Sequence, residues 1–124
     1  MPTSQLNTRI EQLCEDLIAE QRGDPAAFPA ELNQVVFRVY RTFIAGYLIF
    51  VRQNESKPVD WLPEKLVIDW ELVDGMRHFF SDYQHIIRSF LNLNRQLNPL
   101  RNIDRDKQPG LYRDLVSEII ASTA

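Results

Sequence analysis

The chain has 124 residues, 44% of them apolar and 25% charged, with a net charge of −3 and a pI near 5.3. That is the composition of one soluble globular domain, and it excludes a disordered or fibrous chain as well as a global basic field that would bind nucleic acid indiscriminately. A single cysteine, Cys14, leaves no internal disulfide framework and no four-cysteine zinc site.

The first residues are polar and lack the apolar core of a signal peptide. The most apolar run, Phe43 to Val51, lies between Arg41 and Arg52 and falls well short of the ~20 residues a bilayer span needs. The expectation is a cytoplasmic chain without membrane insertion.

In chain order, Leu6, Ile10, Leu13, Cys14, Leu17 and Ile18 recur at steps of three and four and predict a first helix over residues 4–21. Its other face is acidic, and Gly23 with Pro25 would stop it. Residues 30–53 keep the same rhythm from Leu32 to Val51. Val, Ile, Phe and Tyr also favour strands, and Ala45-Gly46 would serve as a hairpin turn. Strict alternation fails at Val35-Val36-Phe37, so the helix is preferred.

Phe37, Ile49 and Phe50 lie off the main apolar stripe of this second helix. They predict a surface that a second copy, or another protein, would cover. A connection follows, with Asp60 placed to cap a short helical segment that opens at Pro63 and carries Trp61 and Trp70 at its borders. The tryptophans would clamp that connection onto the core.

The third helix is expected as one long element over residues 68–97, its stripe running through Leu72, Met76, Phe79, Phe80, Tyr83, Ile87 and Phe90. Asn98-Pro99 would end it. A last helix carries Leu111, Tyr112, Leu115, Val116, Ile119 and Ile120. The fold expected is therefore all-α: a four-helix bundle with two long central helices and a short Trp-bearing segment between the second and third.

Candidate chemistry concentrates on the third helix. Treated as one regular helix, it places Asp74, His78, Asp82 and His85 on one arc, imidazoles and carboxylates at the i, i+4 spacing that would hold a divalent metal. The arc faces away from the core, and no second helix offers a matching pair, so no cofactor is assigned. Cys14 sits among apolar neighbours, and the dispersed glycines form no phosphate loop. No small-molecule substrate and no catalytic residues are indicated.

The charge is unevenly distributed. Residues 1–76 carry a net −5, whereas residues 77–113 carry +4, six of whose seven basic residues are arginines. Arg88, Asn92, Arg95, Arg101 and Arg105 would follow a phosphate backbone and touch base edges. The alternatives are ordinary basic chemistry at a helix C-terminus, or pairing with the acidic first helix. The expected function is a non-catalytic interaction or assembly protein, a homodimer or a subunit of a larger complex. The alternatives are a nucleic-acid-associated subunit and a metal-dependent enzyme on the His/Asp face.

Overall fold

The longest helix, α2 (Ala30–Asn54), organises the molecule. The computed structural model describes residues 3–22, 28–79, 81–100 and 102–123. Besides α2 these form α1 (Thr3–Arg22), α3 (Trp70–Phe79), α4 (Ser81–Leu100) and α5 (Pro109–Thr123), with no strand among the described residues. The expected helix stops Gly23 and Pro25 lie outside the described residues.

All four other helices pack on α2. Leu32, Val35, Val36, Tyr40, Phe43, Ile44, Tyr47, Leu48, Phe50 and Val51 are all buried along it. Phe43 stacks on Phe90 of α4 with ring centroids 4.0 Å apart, and Tyr40 meets the same ring at 4.8 Å. By length and composition alone α2 would also cross a bilayer; here more than half of its most apolar stretch is buried inside the chain. The hairpin alternative for these residues is thereby excluded.

The expected long third helix is two helices. Trp70 and Phe90 touch, with ring centroids 6.2 Å apart. On one straight helix, twenty residues would separate them by about 30 Å at 1.5 Å per residue. The chain therefore turns back between α3 and α4. Phe80, at the junction, lies outside the described residues. Each arm uses α2 as its floor: Phe50 of α2 covers Gly75 of α3, while Gly46 of α2 faces Tyr83 and Ile86 of α4.

Among the described residues five helices thus replace the four expected, and the short segment at Pro63 is not helical. α2 ends at Asn54 with Ser56 in the left-handed region (φ 54°) and the Lys57 N–H bonded to the Arg52 carbonyl, a Schellman-type closure. Residues 55–69 then run as an irregular strap. Side chains of α2 hold it: the Arg52 Nε–H donates to the Trp61 carbonyl (2.9 Å), and the Tyr47 hydroxyl accepts from the Asp69 N–H (3.0 Å). Leu66 is buried beneath.

The segment that Asp60 is expected to cap is not helical, and the side-chain cap formed here belongs to α3 and comes from Asp69. Its Oδ1 accepts the Glu71 N–H at 3.0 Å and so starts α3. α4 runs to Leu100 with Pro99 in its last turn, slightly beyond the expected stop.

Candidate functional site: an arginine cleft between two helices

The reversal between α3 and α4 builds a cleft of about 370 Å³, lined by Arg77 of α3 and by Gln84, Arg88, Leu91, Asn92 and Arg95 of α4. The α4 residues follow from helical spacing. At 100° per residue, positions 84, 88, 91, 92 and 95 share one face, opposite the buried Phe90, Leu93 and Leu97. Arg77 arrives from the last turn of α3, where the helix dipole favours a cation.

Gln84 joins the two walls. Its Nε2 donates to the Arg77 carbonyl at 3.2 Å, supplying a partner to one of the last carbonyls of α3. Within α4, Arg95 Nη2 donates to Asn92 Oδ1 at 2.9 Å. No carboxylate lines the cleft among the described residues. Three guanidiniums thus share a concave surface without a counter-charge on its walls, an arrangement suited to an anion with several oxygens.

No carboxylate of the acidic helix lines this patch among the described residues. α1 packs on α2, and its ion pairs reach elsewhere: Glu11 to Arg41 at 3.9 Å and Glu20 to Lys65 at 4.0 Å. Both pairs are exposed and weak.

Of the five residues expected to bind nucleic acid, Arg88, Asn92 and Arg95 come together in the cleft. Arg105 does not: it lies over the Tyr112 ring, 5.9 Å from the centroid, in the connection before α5. Arg101 lies outside the described residues. The cleft instead recruits Arg77, which appeared in the sequence only as part of the regional charge. The signal for it was local. Ser81 and Gln84 have the S-x-x-Q spacing of a helix start, and Arg77-His78 suit a helix end just before it.

The His/Asp arc depended on one continuous helix and does not survive the reversal. Asp74 and His78 belong to α3, where Oδ2 and Nε2 stand 3.7 Å apart on an exposed surface. His85 belongs to α4 and borders a separate hollow beside Arg38 and Thr42 of α2. The Asp82 side chain lies outside the described residues. No group of three or more potential metal-ligating side chains converges among the described residues.

The expected contact surface on α2 is also divided. Phe50 is a core residue, 6% exposed, because α3 lies over it. Phe37 is half-buried against the core, and its carbonyl accepts the Cys14 thiol at a sulfur–oxygen distance of 3.8 Å. Only Ile49 is substantially exposed, at 43%, in a shallow groove with Arg52, Gln53, Lys57 and Val59. Burial pulls the Arg52 guanidinium below its usual pKa, Asp60 opposing, and its Nη2 is buried without a partner.

Cys14 is fully buried. Desolvation, reinforced by Glu15, pushes its pKa up to about 12, so the thiol is not a reactive thiolate at neutral pH. No family model matches this chain, and neither a curated protein nor a solved structure shows significant similarity to it.

Proposed function

We propose that this chain is a non-catalytic binding protein that holds nucleic-acid phosphates on its α3–α4 face. The observation that carries the reading is the cleft shared by Arg77, Arg88 and Arg95, with no carboxylate on its walls among the described residues. Guanidiniums with no carboxylate beside them repel one another when crowded together, and an external anion relieves that repulsion. Asn92 and Gln84 add neutral donors and acceptors beside them.

The test is fluorescence anisotropy of labelled oligonucleotides against the full chain at 50 and 200 mM salt. Binding should weaken steeply with salt, because each phosphate contacted releases counterion. Charge reversal by the double substitution Arg88→Glu, Arg95→Glu should abolish it. Unchanged affinity in that variant would remove the cleft as the site.

Self-association is a second reading, now resting on Ile49 and Val59 alone, two exposed apolar side chains that line one groove. Light scattering on the parent and on Ile49→Asp tests it: a dimer that becomes a monomer supports it, and a parent monomer sinks it.

A further inference from the structure

The arginine cleft has a counterpart on the other side of α4. A second hollow, about 320 Å³, is walled by Val39 of α2 and by Ser122 and Thr123 of α5, and shares Asn92 and Arg95 with the first. Residues that line both hollows form the crest between them. α4 is therefore an exposed ridge with a depression along each flank, and other helices supply the outer walls: Arg77 from α3 on one side, the end of α5 on the other. At that end Arg38 of α2 donates from Nη2 to the Thr123 carbonyl at 3.0 Å, which sets a further cation beside the second flank.

We propose that α4 enters the major groove of double-stranded DNA, with Arg88, Asn92 and Arg95 facing base edges and Arg77 and Arg38 meeting the phosphates of the two bordering strands. This rests on the nucleic-acid reading above and specifies its ligand. The dimensions agree. A helix with its side chains is about 10–12 Å across, and the B-form major groove is about 12 Å wide. The polar face of α4 from Gln84 to Arg95 extends about 16 Å along the axis at 1.5 Å per residue.

The chemistry selects among nucleic acids. Arginine pairs with guanine and asparagine with adenine through two hydrogen bonds each, and both edges are open in the major groove of DNA. The corresponding groove of duplex RNA is too deep and narrow for side chains to read. Single strands are usually held on aromatic platforms, and no aromatic side chain lines either hollow among the described residues. α1, with its exposed carboxylates, packs on α2, and no carboxylate lines either hollow among the described residues.

The experiment uses the full chain and three labelled probes of mixed sequence: a DNA duplex, one of its strands, and the matching RNA duplex. The DNA duplex should bind at least tenfold more tightly than either other probe. Selection from a pool of randomised DNA duplexes should then yield an enriched motif. Asn92→Ala should relax the preference at one position of that motif, while Arg77→Ala should weaken every duplex alike and lower the salt slope by about one. Equal or tighter binding to the single strand or the RNA duplex overturns groove insertion and leaves phosphate binding standing. An absence of binding to all three probes at 50 mM salt overturns both. An unenriched pool also overturns it, since a helix reading base edges must discriminate between sequences.

Discussion

On α2, apolar side chains run nearly all round the helix; on α4, arginines and amides occupy about half of it. Each helix carries more of one residue type than a single packed face needs, and the fold treats the two excesses differently. Apart from Ile49, the apolar excess of α2 is largely consumed within the chain, because α1, α3, α4 and α5 all rest on that helix. The cationic excess of α4 meets no carboxylate on its cleft walls among the described residues. An all-round apolar helix therefore reports how many neighbours it has before it reports a partner protein. Arginines gathered on a concave surface with no carboxylate among the described residues give the proposal of an external ligand its main support.

The largest test of this contrast is Phe50 against Ile49. Phe50→Asp places a carboxylate in the contact between α2 and α3, and should cost at least about 3–5 kcal/mol from the lost ring and the buried charge. Urea denaturation should show partial or complete unfolding. Ile49→Asp, at an exposed position on the same helix, should stay within about 0.5 kcal/mol of the parent. Equal effects at the two positions would mean that α3 does not cover α2 as described.

The same pair shows how far the sequence could be read. The three-four rhythm marks α1, α2 and α5 closely, because each buries one continuous stripe on a neighbour. It passes through Phe79-Phe80 without a break, so periodicity alone makes one helix of α3 and α4. No proline or glycine marks the reversal, and the S-x-x-Q spacing at Ser81, which the reading by periodicity does not use, is its one local sign. That single error explains the others: it hid the cover over Phe50, left out Arg77, and assembled on one helix four His/Asp residues that belong to two. Arg88, Asn92 and Arg95 stay neighbours in either geometry because all three lie within α4, whereas Arg105 does not join them.

Alkaline pH should weaken the α1–α2 side, where Cys14 is buried. Its pKa rises from 9.0 to about 12 on folding, so below about pH 9 the thiol is protonated in both states and its contribution is intact. Between pH 9 and 12 the unfolded chain ionises first, and stability falls by up to a few kcal/mol. Burial also raises the Tyr47 pKa, and it acts in the same direction. Cys14→Ala should flatten the thiol's part of the decline in denaturation curves recorded from pH 8 to 11. A parallel curve for the variant would place the loss elsewhere.

Two glycines give smaller effects of opposite sign, and they examine the two arms of the reversal separately. A β-carbon at Gly46 would stand 3.0 Å from Tyr83 Cε1, so the ring must shift. Gly46→Ala should destabilise by about 1 kcal/mol, the overpacking outweighing the gain in helix propensity. At Gly75 the nearest atom, Phe50 Cζ, is 3.5 Å away, an ordinary contact. Gly75→Ala should therefore stabilise by about 0.5–1 kcal/mol. Thermal melts of the two variants should move in opposite directions, and a common direction would contradict the packing at one crossing.

The smallest expected effect bears most directly on α4. Arg95 makes its hydrogen bond to Asn92 of its own helix, and exposed pairs of that spacing contribute only about 0.2–0.5 kcal/mol. Arg88 and Arg77 face the cleft, which has no anionic wall among the described residues. Converting Arg88 and Arg95 together to glutamine keeps long polar stems while removing two of the three cleft charges. Stability should stay within about 0.5 kcal/mol, since the lost hydrogen bond is offset by relief of repulsion. A loss well above 1 kcal/mol would show that the arginines hold the fold together. The α4 excess would then be internal like that of α2, and the case for a bound polyanion would lose its main support.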